Sequence, residues 1–509
     1  MLHFWRWLQI PDTTSVRKFI NKARKIRSFG QYLSSVSVLM LVSTVAADNH
    51  IDVHEYSVSV DYSLSRLWVE ARFASPVESV TARSSDAGKF LIDVRGCDVD
   101  KKIRMRNRRM MLPEDGIRCI NYAVDLARAA RHDRSYRDLA VGNTIVSPSL
   151  WLWRPEVTDR SEIRVSFRLP HDVRVSVPWQ PLSSMPDTYR MGRSPESSNA
   201  VVLFGKFDYE EIEIPGAKLR VSIARGQQKV DTQAIFKWIG TTAGDISLAY
   251  GRYPNPSPQV VVVPVFESGG DSAVPFGRVI RDGGETVQFF INPEKPLADY
   301  MADWTATHEF SHLMLPYLTR RHRWMSEGFA QYYQNVLLAR TGTYDEVYAW
   351  QKLYDGFERG RQSRPELSPN EAADGDIRSG LMKVYWSGAA LALMADVQLR
   401  ERSGGRESLD TVLGQLQNCC LPADRVWTGT ELFIKLDTLI DEPVFMPLYR
   451  RYADTAGFPD TSDLLARLGV AVNDDKVRIR RNGELAGIRA SITKPDPATA
   501  RERQSMAAR

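Results

Sequence analysis

The sequence predicts a multidomain α+β protein: a β-sandwich-like N-terminal domain, a middle domain in which strands give way to helices, and an α-helical C-terminal domain. Three observations carry that prediction. The chain has 509 residues, more than one hydrophobic core usually organises, so two to four domains are expected. Residues 51–224 carry period-two, β-branched runs. From residue 297 onward the apolar residues recur instead at helical spacing.

Residues 1–47 stand apart by charge. Arg6, Arg17, Lys18, Lys22, Arg24, Lys25 and Arg27 face Asp12 alone, a local balance of 7 − 1 = +6, and the whole chain is +5, so the remainder is −1. A near-neutral body gives no electrostatic case for nucleic-acid binding. The run RKFINKARKIR is followed by YLSSVSVLMLVSTVAA and then by the polar DNHIDVHEY, the basic, apolar and small-residue layout of a secretory signal. Residues 1–47 are therefore expected to be a signal peptide cleaved after Ala46 or Ala47, and the protein to be exported, periplasmic or secreted. The competing reading is an uncleaved anchor. No stretch reaches the roughly 20 apolar residues a membrane helix needs, so no stable span is expected after cleavage.

Residues 48–228 are expected to form the all-β domain, with runs such as YSVSVDYSL, RLWVEARF, EIRVSFRL, VRVSVPW and KLRVSIA separated by Pro, Gly, Ser and Asp. Cys97 and Cys119 lie in two strand-like pieces about one hairpin apart, which fits a disulfide formed in an oxidising compartment. Cys419 and Cys420 are adjacent and are not expected to bond each other. No CxxC pair occurs, so a cysteine zinc site is not expected.

Residues 229–365 change period. An amphipathic stretch, TQAIFKWIGTTAGDISLAYG, is followed by the buried-strand runs QVVVVPVF and TVQFFIN and then by PEKPLADYMADWTATHEFSHLML. Residues 366–493 read as helices such as GLMKVYWSGAALALMADVQLRER, finishing in a hairpin expected at the Asn-Gly of RRNGE. The tail 494–509 is expected to fray. There is no internal repeat.

The chemistry concentrates in THEFSHLMLPYLTRRHRWMSEGFAQYY, which holds three of the eight histidines. His308 and His312 lie at i and i+4, so a helix stacks both imidazoles on one face, within reach of a single ion. Glu309 points about 100° away around that helix, where a general base for an attacking water belongs. Two histidines on a surface helix are the bland alternative. A catalytic zinc site takes three protein ligands and leaves a position for water, so a third ligand is needed. His322 does not fit the H-E-x-x-H-x-x-G-x-x-H pattern, since Leu315 and Leu318 stand where Gly and His are required. Glu327 is the other candidate. Pro316 ends the first helix, TRRHR reverses the chain, and Ser326 is expected to cap a second helix that projects Glu327 toward the first. The competing role for Glu327 is a charge favouring the helix dipole. One Zn2+ per chain follows from the set His308, His312 and Glu327.

HEFSH followed by WMSEGFAQYY resembles the gluzincin metallopeptidases, in which H-E-x-x-H is completed by a Glu in a W-x-x-E-G-x-x-x-Y-Y segment. Two families of that type are similar, the membrane alanyl aminopeptidases and the glycyl aminopeptidases. The stretch VYWSGAALALMADVQLRERSGGRESLDTVL is more similar to the second. The resemblance covers about residues 250–413 and implies a thermolysin-like catalytic domain, a peptide or protein substrate, zinc on His308, His312 and Glu327, and Glu309 as base and then acid. It also implies that Tyr385, just before Gly388-Ala389, donates a hydrogen bond to the oxyanion. An aromatic merely packing a core helix is the alternative for Tyr385.

Several features depart from those families. The spacing from His312 to Glu327 is shorter, Ser387 replaces a lysine near the tyrosine, and there is no room for a PDZ-like domain. The amine-binding motif Gly-x-Met-Glu-Asn is absent from DSAVPFGRVIRDGGETVQFF, where Phe276 and Gly277 are expected on the strand and Glu285 is the acid that serves if the alignment slips. The expected function is an exported zinc-dependent peptidase, aminopeptidase-like, with internal cutting left open. The rival is a catalytically idle gluzincin fold that binds peptides or assists envelope assembly. Retention of Glu309 argues against it.

Overall fold

The computed structural model describes residues 51–496 apart from 98–102, 107, 114, 134–135, 137–138, 159–160, 194–199 and 266–271. The expected signal peptide and most of the expected tail lie outside the described residues.

Alternating burial builds the N-terminal part. In Arg66–Val77, Leu67, Val69, Ala71 and Phe73 face inward while their neighbours face out. This strand lies in a seven-stranded sheet. Its order is Gln180–Pro181, Thr188–Met191, Ser161–Arg168, Asp52–Val60, Arg66–Val77, Ile117–Asp125, Leu91–Gly96. Two three-stranded sheets accompany it, and Trp151, Trp153 and Trp179 are fully buried in its core. Cys97 and Cys119 are bonded, with Cα atoms 5.4 Å apart.

The sheet that supports the site is mixed and five-stranded, in the order Asp208–Ile214, Ala217–Ile223, Gln259–Pro264, Glu285–Ile291, Phe276–Arg281. Its first two strands were expected in the all-β part. They join the mixed sheet because Ala217–Ile223 runs parallel to Gln259–Pro264, with Val221 opposite Val260. A parallel pair needs a crossover, supplied by helix Thr232–Ile246, whose N-cap Asp231 accepts from the Ala234 N–H at 3.1 Å. Covered on both faces, Gln259–Pro264 and Glu285–Ile291 are buried throughout. Phe276–Arg281 closes the sheet as an antiparallel edge, with Gly277 opposite Phe289.

Three helices frame the site: the motif helix Thr305–Ser311, the partner helix Arg323–Arg340 and the long helix Ile377–Ser403. The last two cross where glycine meets glycine. A Cβ on Gly388 would lie 2.1 Å from the Trp324 carbonyl oxygen and 2.8 Å from the Gly328 Cα. Only residues without a Cβ allow that approach. Farther along, Arg340 and Arg400 converge on Asp410 at 2.8 and 3.3 Å and tie the helices together.

Two expectations are corrected in the C-terminal part. The terminal hairpin pairs Val470–Asn473 with Lys476–Ile479 and turns at Asp474 and Asp475, not at Asn482-Gly483. Both aspartates have positive φ, 48° and 58°, as a two-residue primed turn requires and as Asp tolerates. Cys419 and Cys420 do bond each other. They end helix Leu409–Cys420, and the chain leaves it extended at Leu421. No helix among the described residues is long and apolar enough to cross a membrane.

Candidate functional site

The motif helix begins beside Asp303, which accepts from the Thr305 N–H at 2.8 Å. It tightens into a 3-10 turn over His312–Met314, and the chain becomes extended at Leu315, immediately before Pro316. The TRRHR segment then turns through Arg320–His322. The partner helix starts at Arg323, four residues earlier than expected, so Ser326 is not its cap. Ser326 instead lies one turn inside, its Oγ 3.1 Å from His312 Nδ1.

Glu327 consequently projects from the second turn toward the motif helix. Its Oε2 lies 3.5 Å from His308 Nε2 and 3.4 Å from His312 Nε2, and ligand atoms of all three residues fall within 4.8 Å of one another. Tetrahedral bonds of about 2.0–2.2 Å place ligand atoms roughly 3.3–3.6 Å apart, so both distances from Glu327 to the imidazoles fit zinc. The buried Oε2 has no hydrogen-bond partner, which a cation would satisfy. Burial alone would raise the Glu327 pKa, yet His312 and His308 hold it far below the usual carboxylate range.

Glu309 leaves the same helix at a different angle and meets the edge strand. A Cβ on Gly277 would stand 2.6 Å from Glu309 Cγ and 3.0 Å from Thr305 Cγ2, so the glycine lets the strand approach the carboxylate. Burial, aided by the Glu327 charge and opposed by His308, pushes Glu309 up to about 7. Such a carboxyl can both accept and return a proton near neutrality.

Tyr385, two turns into the long helix, is stacked on the His308 ring at 5.6 Å between centroids and 12° between planes. Burial and the Glu327 and Glu309 carboxylates raise its phenol well above its ordinary value. It therefore stays protonated as a donor. The structure thus brings His308, His312, Glu327, Glu309 and Tyr385 into one place.

Other readings are resolved by placement. His322 stands at the N-cap of the partner helix, its ring nitrogens 2.8 Å from Thr319 Oγ1 and 3.0 Å from the Tyr449 hydroxyl. Glu285 is not a free acid: it is buried, accepts from Arg281 Nε at 2.7 Å and also holds Asn255. Three residues escaped the sequence reading: Trp304, Ser326 in its actual role, and Arg323. Trp304 precedes His308 by four and packs edge-on against it at 5.8 Å. Arg323 precedes Glu327 by four. The helical spacing that paired the histidines would have found both.

No family model matches the chain, and no curated protein matches it. Solved structures do. The chain is similar to an aminopeptidase N family protein from Idiomarina loihiensis, with 15% identity over 82% of this chain and 79% of that one at a TM-score of 0.57. It is also similar to an M1 zinc metallopeptidase variant from Deinococcus radiodurans bound to a Tyr-Ser-Ala substrate, with 12% identity over 81% and 96% of the two chains at a TM-score of 0.50. A two-domain M1 zinc metallopeptidase variant bound to L-arginine matches with 11% identity over 81% and 95%, again at 0.50. At these identities the likeness is one of fold: the chain is built like the M1 zinc metallopeptidases.

Proposed function

We propose that this chain is an exported, zinc-dependent peptidase of gluzincin type. The observation that carries the reading is the buried, unpartnered Glu327 Oε2 set about 3.5 Å from two imidazole nitrogens. His308, His312 and Glu327 would hold the ion, which when bound supplies Lewis-acid polarisation of a carbonyl and lowers the pKa of water. The chain's own groups do the rest. Glu309 takes the proton of the attacking water at its carboxylate and returns it to the departing amine. Tyr385 keeps its phenolic proton and donates it as a hydrogen bond to the oxygen that becomes negative.

Within that class, the glycyl aminopeptidases are the nearest in motif, through Tyr385, Gly388-Ala389 and the run from Arg400 to Asp410. Export is supported by the basic and apolar layout of residues 1–47 and by the bond between Cys97 and Cys119. Action at N-termini is supported by the neighbours' fold. Internal cutting is supported by the commitment of Glu285 to Arg281 and Asn255, which leaves that acid unable to hold an amine.

The test is metal analysis of the purified protein beside Glu309→Ala, with a peptide-library digest read by mass spectrometry. Bound zinc in both proteins and hydrolysis in the parent alone are expected. Zinc-free protein, or unchanged hydrolysis in the variant, overturns the reading and leaves the idle peptide-binding fold. Ladders from the N-terminus identify an aminopeptidase, and internal cuts an endopeptidase.

A further inference from the structure

The TRRHR turn is longer in positive charge than a chain reversal requires. It places Arg320, Arg321 and Arg323 within four residues, beside the helix start that carries Glu327. Arg321 is spoken for, at 2.6 Å from Asp454. Arg320 and Arg323 instead converge on one neutral acceptor, the Gly375 carbonyl, at 2.9 and 3.4 Å. A guanidinium has five N–H donors, and the Arg323 Nε is buried with no hydrogen-bond partner. The side chain as a whole is only partly buried, so a donor on its open side can meet an acceptor brought by a ligand.

Position makes that donor useful. Arg323 and Glu327 are i and i+4 on one helix and share a face. Glu327 and Tyr385 both act electrostatically on the Arg323 guanidinium, with Asp374 a weaker influence. Glu327 turns its Oε2 to the two histidines, so the guanidinium is not its first partner. Resting on the peptidase reading above, we propose that Arg323, flanked by Arg320, is a specificity residue that binds a substrate carboxylate. That group is either the C-terminal α-carboxylate of a short peptide or an Asp or Glu side chain of a longer one. A planar fork of donors suits a carboxylate better than any neutral side chain does.

The test uses the full zinc-loaded chain carrying Glu309→Gln, titrated by calorimetry with three peptides: Leu-Ala-Ala, its C-terminal amide, and Leu-Glu-Ala amide. At least one carboxylate-bearing peptide is expected to bind about 10- to 100-fold tighter than the neutral amide, the range of a hydrogen bond to a charged group. A gain for Leu-Ala-Ala identifies the α-carboxylate, and a gain for Leu-Glu-Ala amide the side chain. Adding Arg323→Met should bring the ratio toward one, and Arg323→Lys should restore part of it. Equal affinities in the Arg323 protein, binding of none of the three, or a ratio that survives Arg323→Met overturns the proposal. The peptidase reading fails separately, by absence of hydrolysis of an amidated peptide library by the parent chain.

Discussion

Tyr385 stacks on His308, the two rings 5.6 Å apart between centroids and inclined by 12°. Trp304 closes on the same imidazole edge-on at 5.8 Å, while His308 Nδ1 is buried without a hydrogen-bond partner. Ring packing therefore orients His308, where a polar partner on the far nitrogen usually does so in metal sites. His312 is held in the usual way, through Ser326. The two imidazoles thus depend on different neighbours, and substitutions can separate them.

Replacing Tyr385 by Phe keeps the stacked ring and removes the phenol. The expected outcome is a kcat lower by about 100- to 1000-fold, the usual loss for one oxyanion donor, with zinc content unchanged. Tyr385→Ala removes the ring as well, so zinc should be held more weakly than in Tyr385→Phe. Steady-state kinetics beside metal titration reads both. An unaltered kcat in Tyr385→Phe would assign Tyr385 to packing alone.

Ser326→Ala leaves the His312 Nδ1 without its 3.1 Å partner. Loss of such an outer contact typically weakens metal affinity by about 10- to 100-fold. Competition with a chelator of known affinity measures this directly. Asn at the same position can also meet the ring nitrogen, so Ser326→Asn should recover much of the loss. Equal zinc affinity in Ser326→Ala would show that the contact orients nothing.

Glu309 gives a pH signature in the metal-free protein. Its folded pKa is raised from 4.5 to about 7, first by burial and then by the Glu327 charge. A carboxyl raised on folding binds its proton more tightly in the folded state. Its contribution is therefore most favourable below 4.5 and is lost as pH rises through about 7. Glu309→Gln cannot ionise, so at pH 8 the variant should be more stable than the parent by about 1–3 kcal/mol, with the two proteins alike near pH 4. Urea titrations at both pH values decide the matter. A variant less stable than the parent at pH 8 contradicts the sign.

What the sequence revealed of this site was its local part. His308, His312 and Glu309 are fixed relative to one another by one helical turn, so their arrangement follows from spacing. Glu327 required only a short helix–turn–helix. What stayed hidden depends on pairing or on helix limits. The partner helix starts at Arg323 with no side-chain cap, so nothing in the sequence marks its beginning, and Ser326 looked like the natural cap. The strands Asp208–Ile214 and Ala217–Ile223 alternate like their predecessors, and alternation does not say which sheet a strand joins. At the terminal hairpin Asn-Gly outweighed Asp474-Asp475 as a turn signal, although both pairs admit positive φ.

The crossing of the partner and long helices sets how Tyr385 meets the histidines, which makes Gly388 a test of geometry as much as of stability. A methyl group there would stand 2.1 Å from the Trp324 carbonyl oxygen and 2.8 Å from the Gly328 Cα. Those neighbours are backbone and cannot swing aside as a flexible side chain does. Gly388→Ala must therefore spread the helices, a strain of about 1–3 kcal/mol or more in a packed core. Tyr385 lies one turn before Gly388, and Glu327 is adjacent to Gly328, so the same displacement separates the phenol from the metal ligands. A lower denaturation midpoint and a reduced kcat are expected together, with a smaller effect on zinc content, since all three ligands lie outside the long helix. If the variant loses zinc as completely as a substitution of Glu327 does, the two helices do not move as separate bodies and the crossing does not govern the oxyanion donor alone.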